Sequence, residues 1–341
     1  MAVTIGLLGF GRIGRNLVRI LHRSEQFRLG AIADPADHDA LTYLLRYDTI
    51  LGRFPSEVSC RDGFLYTWGR EIPLLSARKP HEIDWSQYGV DYVIVAVGRP
   101  MGHDEGAANL ASGARRVVVC VPPLEASGIT VVYGINDERI GPDDRIISNG
   151  SCTSHCAAPV LAILDDAFTV ERAHMTVVHA FTREQRLADV PALDLRLSRA
   201  AGLNIVPSDS NAATVLQDVL PQLSGRLTAA ALRAPVANGS IVDMTLWFGQ
   251  DVTVDRINDV VRSAASGPYR HILDFTTDPI VSSDLTQSSY SSTFDSLATM
   301  VQGNRMAKTI AWFDNSWGYS HRVVDLLRKL SRLDGLAAGE A

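Results

Sequence analysis

Cys152 stands in the run Ser148-Asn149-Gly150-Ser151-Cys152-Thr153-Ser154-His155-Cys156, and small polar residues lead up to it. The chain then reads AAPVLAILDDAF, a good helix-forming stretch. This pattern predicts Cys152 in the first turn of a helix, with Ser151 as the N-cap. Unpaired backbone N–H groups at such a position favour a thiolate, so a lowered pKa is expected. A thiolate attacking an aldehyde needs something to lower its pKa, a donor for the oxyanion, and an acid–base group for the hemithioacetal hydroxyl. The helix terminus supplies the first, and the N–H of Cys152 supplies part of the second. His179 ends the apolar run VERAHMTVVHA and opens a long loop, which makes it the candidate for the third. A lone strand-end histidine is more often structural; the cysteine context favours the catalytic reading here.

Cys152, His155 and Cys156 also lie within one helical turn of each other, and imidazole and thiolate suit zinc. No second close Cys/His pair supplies the remaining ligands, so no metal is expected. Cys156 reads as a small buried residue, and His155 as a polar neighbour.

The second chemical signal is Gly9-Phe10-Gly11-Arg12-Ile13-Gly14. Gly9 permits a tight turn, Gly11 lets the backbone approach a pyrophosphate, and Gly14 lets a helix pack closely on a sheet. The helix N-terminus then faces the phosphates. Arg12 and Ile13, between the second and third glycines, belong to the same expected site. Asp34 follows Gly14 by 20 residues, at the end of a second strand pattern. A carboxylate there accepts hydrogen bonds from an adenosine ribose and repels a 2′-phosphate, which predicts NAD over NADP.

These residues need a scaffold. Val3–Leu8 reads as a buried parallel strand, 12–22 as a helix and Phe27–Ala33 as the next strand. Further strands are expected at 92–96, 116–120 and 130–133, with a helix near 105–112 and short antiparallel excursions over 58–73. Alternating strands and helices predict an α/β fold, a doubly wound parallel sheet. After Cys156 the pattern changes. Strands are expected at 172–179, 227–233, 241–248 and 306–313, and helices at 211–219 and 254–263. That mix predicts an α+β domain with a mostly antiparallel sheet. An amphipathic segment, 317–333, reads as a docking helix before a frayed tail. The stretch from His179 to Ser208 lacks periodicity, and long loops in compact domains are usually functional.

The 341 residues predict about two domains. A net charge of −6 with scattered basic residues argues against a nucleic-acid partner. No apolar run reaches the roughly 20 residues that span a bilayer, and MAVTIGLLGF reads as a strand rather than a signal peptide. Four cysteines in a chain this long do not form a disulfide framework and fit a reducing cytoplasm.

The chain resembles the glyceraldehyde-3-phosphate dehydrogenase family, including its erythrose-4-phosphate dehydrogenase branch, almost end to end. The resemblance rests on G-F-G-R-I-G-R at Gly9–Arg15, R-Y-D-T with Gly52 following, I-S-N-G-S-C-T at Ile147–Thr153, R-A-A-x-x-N-I-V-P at Arg199–Pro207 and D-N-x-W-G-Y-S-x-R-V-V-D-L at Asp314–Leu326. It implies a Rossmann domain over 1–151, a catalytic domain over 152–316, a C-terminal helix from 317 returning to the first domain, and a homotetramer. It implies Cys152 as nucleophile and His179 as base, with Asn315 at the nicotinamide amide and Tyr319 nearby. Gly98 closes Ala96-Val97-Gly98, which replaces the family's usual Ser-Thr-Gly beside the cofactor; Leu8 replaces the usual Asn before Gly9.

Members of this family bind two anions. Arg233 and Thr182 match the substrate-phosphate site, where the usual second threonine is Glu184. A carboxylate about 5 Å from a phosphate costs on the order of 3 kcal/mol per unit charge at an effective dielectric near 20, unless Glu184 turns to solvent. Ser151, Thr153 and Arg199 match the inorganic-phosphate site, where the usual Thr-Gly is Ser210-Asn211. The resemblance implies NAD-dependent oxidation of a phosphorylated sugar aldehyde, foremost glyceraldehyde 3-phosphate, with the thioester released by phosphate as an acyl phosphate. The anion-site departures keep a second substrate open, erythrose 4-phosphate or a specialised-metabolite aldehyde, with release by hydrolysis. A different class is a catalytically weak NAD-binding homologue acting through partners as a regulator or resistance duplicate. Intact Cys152 and His179 argue against it.

Overall fold

Val3–Leu8 is apolar along its length and buried at every position, as a strand covered on both faces requires. In the computed structural model, which describes residues 2–99, 101–120 and 128–336, it lies in the interior of a nine-stranded sheet. The order is Ile129–Thr130, Ile146–Ser148, Arg116–Val119, Tyr92–Val95, Val3–Leu8, Phe27–Ala33, Arg70–Leu75, Phe64–Thr67, Val58–Arg61. Pairing is parallel up to Arg70–Leu75 and antiparallel for the last two strands. The helices of this unit are α1 (Arg12–Leu21), α2 (His38–Arg46) and α3 (His103–Ala111). The order reverses around Val3–Leu8, whose chain neighbour Phe27–Ala33 lies on one side and Tyr92–Val95 on the other, as in a doubly wound sheet. The strand expected at 130–133 is instead Ile129–Thr130; Val131 and Val132 are buried outside it.

The second sheet has seven strands, ordered Val206–Ser208, Leu227–Ala234, Val170–Ala180, Ser240–Phe248, Met306–Phe313, Ser292–Gln302, Leu273–Thr276. It is mixed, with parallel pairs at Val170–Ala180 with Leu227–Ala234 and at Leu273–Thr276 with Ser292–Gln302. The other four pairs are antiparallel. Its helices are α4 (Cys152–Phe168), α5 (Ala212–Val219) and α6 (Val254–Ser266). α7 (Trp317–Leu333) is the last helix.

Contacts divide the chain into two units. One is Met1–Tyr133, Asp137–Gly150 and Ser320–Ala341; the other is Gly134–Asn136 and Ser151–Tyr319. Within the first unit, Val323, Leu327 and Leu330 of α7 are buried at helical spacing. Just beyond that helix, Asp334 accepts hydrogen bonds from Arg116 Nη2 at 2.6 Å and Tyr92 Oη at 2.7 Å. Burial works against the Asp334 charge, but Arg116 and Tyr92 hold its carboxyl below the usual range. Arg116 is only 3 % exposed. Asp334→Ala therefore leaves a buried cation without its counter-charge. Equilibrium denaturant unfolding is expected to show a loss of about 3 kcal/mol; a change too small to resolve would mean that the carbonyls of Gly141 and Pro142, which Arg116 also contacts, suffice. Residues 337–341 of the expected frayed tail lie outside the described residues.

Candidate active site

α4 begins at Cys152, and its N-cap is Ser151 in extended conformation. Ser151 Oγ accepts from the Ser154 N–H at 3.0 Å, and Ser154 Oγ accepts from the Ser151 N–H at 2.8 Å. This reciprocal box satisfies two donors that a helix start leaves open and fixes the direction in which Cys152 leaves the backbone. The next turn buries Cys156 completely, and its thiol is pushed up to about 12 by burial. Cys156 is thus an inert core residue, and no metal-competent cluster of His, Cys, Asp or Glu exists among the described residues.

His179 lies near the end of the strand Val170–Ala180. Its Nε2 stands 3.6 Å from Cys152 Sγ. Its Nδ1 lies 2.6 Å from the carbonyl of Ala180. A carbonyl only accepts, so Nδ1 carries the proton and Nε2 presents a lone pair to the sulfur. Ser240 Oγ accepts the Ala180 N–H at 3.0 Å and donates to Asn315 Oδ1 at 2.9 Å. That leaves Asn315 Nδ2 against the imidazole, 3.0 Å from Nδ1 and 3.3 Å from Nε2. Asn238 holds the same corner: it accepts from the Asn315 N–H at 3.3 Å and donates to Asp314 at 2.8 Å.

Arg233 pairs with His179 in parallel register on the adjacent strand, so the two side chains share a sheet face. Its buried Nε has no hydrogen-bond partner among the described residues. Burial pushes the Cys152 thiol up. The Arg233 charge, the N–H groups of Thr153 and Cys152 and the Thr153 hydroxyl pull it down, and burial prevails. The lowered pKa expected from the helix terminus is therefore corrected: the helix acts as expected, but the sulfur's desolvation outweighs it. Burial first, and then the Arg233 charge, lower His179 to about 4 against the bond to Ala180.

The remaining residues expected at anion sites are less gathered. Thr153 is buried beside Cys152. The Thr182 N–H and hydroxyl both bond to Gln185 Oε1, at 2.7 and 3.0 Å. Glu184 is exposed. Arg199 pairs with Asp189 at 3.2 Å. Ser210 Oγ accepts from the Ala212 N–H at 3.2 Å, and Asn211 begins α5 without a side-chain cap bond. No hydrogen bond or ion pair joins Thr182, Glu184, Arg199, Ser210 or Asn211 to Cys152 or His179 among the described residues. The Tyr319 ring meets His155 edge-on, with centroids 5.7 Å apart. Sequence reading missed Ser240, Asn238 and Gln185; only the Asn238-Gly239 turn dipeptide left a local mark.

In the first unit, Gly9 has φ +99° and a Cβ there would meet the Ala96 carbonyl oxygen at 2.6 Å. A Cβ on Gly14 would meet the Gly9 oxygen at 2.3 Å, so the helix approaches the loop as closely as a backbone can. Gly11 faces open space and caps α1 without a side-chain bond. The N–H groups of Arg12 and Ile13, at the start of this helix, are thus not covered by a cap side chain. Asp34 accepts from the Phe10 N–H at 2.8 Å and the Ala36 N–H at 2.9 Å, which ties the second strand to the loop and leaves lone pairs for ribose hydroxyls. Gly98, at φ +64°, follows the strand Tyr92–Val95. An uncapped helix start with bare space before it and a carboxylate beside it fits a dinucleotide.

Comparisons with known proteins agree. The model of the glyceraldehyde 3-phosphate dehydrogenase NAD binding domain matches residues 3–101, and that of the C-terminal domain of the same enzyme matches residues 151–315. A glyceraldehyde-3-phosphate dehydrogenase from Geobacillus stearothermophilus is 40 % identical over 96 % of this chain and 97 % of its own. One from Streptomyces coelicolor is 42 % identical over 96 % and 98 %, and one from Mycobacterium leprae is 41 % identical over the same shares. The cofactor is NAD, and the chain belongs to the glyceraldehyde-3-phosphate dehydrogenase family of oxidoreductases.

Proposed function

We propose that the protein oxidises a phosphorylated sugar aldehyde, foremost glyceraldehyde 3-phosphate, through a thioester on Cys152. The observation that carries this is the 3.6 Å approach of the Cys152 sulfur to the unprotonated Nε2 of His179. The imidazole takes the thiol proton as sulfur attacks the carbonyl, and the Cys152 N–H donates to the oxyanion. The proton returns to that oxygen, giving the hemithioacetal hydroxyl. His179 withdraws it again as the carbon is oxidised to the thioester. NAD, when bound, supplies the hydride acceptor. Asn315 holds the imidazole in place, and a contact with the nicotinamide amide is proposed for it on the family resemblance alone.

The buried, unpartnered Nε of Arg233 supports an anion beside this pair, the phosphate of the substrate, with Thr182 contributing after release from Gln185. Ser151, Thr153, Arg199, Ser210 and Asn211 are assigned to the attacking phosphate, which releases the product as an acyl phosphate. The exposed position of Glu184 supports its turning to solvent, which leaves the substrate phosphate tolerated. We further propose a homotetramer, supported by the loop after His179, where Leu187, Leu193, Leu195 and Leu203 are each at least 80 % exposed. No helix among the described residues is long and apolar enough to cross a membrane.

A panel of aldehydes with NAD or NADP, with and without phosphate, tests this. Glyceraldehyde 3-phosphate with NAD and phosphate is expected to give the highest kcat/KM. Preference for erythrose 4-phosphate, or turnover indifferent to phosphate, would replace the reading with the hydrolytic alternative.

A further inference from the structure

The carbonyl of Ser151 receives three donors. One is the ordinary helical bond from the His155 N–H at 3.0 Å. The other two are side chains: Ser154 Oγ at 2.9 Å and His155 Nδ1 at 3.0 Å. A carbonyl cannot donate, so the His155 ring carries its proton on Nδ1 in this contact. The ring is held there by burial, with 1 % exposure, and by its edge contact with Tyr319. The loaded carbonyl is one end of the Ser151–Cys152 peptide; the other end is the Cys152 N–H. The amide is conjugated, so density drawn to its oxygen leaves the N–H a stronger donor. That same N–H lies close enough to Cys152 Sγ to favour its anion.

We propose that His155, with Ser154, is a positioning residue that polarises the Ser151–Cys152 peptide and so strengthens the Cys152 N–H toward the oxyanion of the attacked aldehyde. This rests on Cys152 being the nucleophile. Each added donor strengthens the far end of the unit by a modest fraction, so the effect is smaller than losing an oxyanion donor outright.

The test compares His155→Phe, which keeps a ring against Tyr319 but removes the donor, with His155→Asn, which returns an amide N–H near the Nδ1 position. His155→Phe is expected to lower kcat for glyceraldehyde 3-phosphate by about three- to fivefold at unchanged KM. The midpoint pH of Cys152 alkylation by iodoacetamide is expected to rise. His155→Asn is expected to restore both. Should His155→Phe unfold, His155→Leu also removes the donor while leaving the Ser151–Ser154 capping box intact, and must show the same alkylation shift. Wild-type values in His155→Phe, or an Asn variant as impaired as the Phe variant, overturn the proposal. Those results leave Cys152 intact as nucleophile, whereas an active Cys152→Ser variant would remove that reading independently.

Discussion

Cys152→Ser is expected to lower aldehyde oxidation by about 10⁴-fold or more while leaving NAD binding and thermal unfolding unchanged. The exchange alters one atom at the start of α4 and leaves the Ser151–Ser154 capping box untouched. On the proposed mechanism, what it removes is the nucleophile. His179, held near 4, is a weak base. It can draw a proton from the thiol as the sulfur attacks, because Arg233 and the N–H groups of Thr153 and Cys152 favour the resulting anion against the burial that raises it. An alcohol at the same position ionises far less readily, and the same imidazole lacks the basicity to compensate. The measurement is steady-state NADH formation from glyceraldehyde 3-phosphate, with cofactor binding followed separately. Turnover above one-tenth of wild type would mean that no thioester forms at this residue.

The burial that raises Cys152 is also what sequence could not show. The run into Cys152 announces a helix start, because capping residues and helix formers are local signals. Desolvation depends on what packs around the sulfur: His179 is 27 residues away and Arg233 lies on another strand. The same division runs through the fold. Val3–Leu8 and Phe27–Ala33 match their expected limits because each is largely apolar and faces protein. Ser292–Gln302 left no clear strand signal: Ser292, Thr293, Asp295 and Ser296 are buried polar residues that break its hydrophobic period. One of them, Asp295, accepts from the Trp312 indole at 3.0 Å, a reason visible only across the sheet. The helix α2 was also hidden, since it exposes Tyr43 and Leu44 and buries only a narrow stripe. In the site, cysteine and histidine could be picked out by type, but Ser240 could not. Its part is played through the Ala180 N–H and Asn315, 60 and 75 residues away.

His179→Asn is expected to lower kcat by about 10² to 10⁴-fold, the usual contribution of a positioned acid–base group. The pH dependence separates that role from a structural one. Because the imidazole is depressed from its ordinary 6.5 to about 4, the base is already unprotonated throughout the neutral range. Wild-type kcat should therefore show no acid limb near 6.5, with any loss from this group beginning near pH 4. A limb centred near 6.5 would mean that the imidazole is solvated and not packed beside Arg233. Stability carries the matching signature. Between pH 6.5 and 4 the unfolded chain binds a proton at this position and the native chain does not, so acid favours unfolding. The contribution of His179 is complete above pH 6.5 and is lost as pH falls toward 4, amounting to about 3 kcal/mol across that window. His179→Asn removes the titrating group and should flatten the corresponding part of the stability–pH curve. A variant that lost activity but kept the wild-type slope would place the titration on another residue and return His179 to an ordinary, solvated histidine.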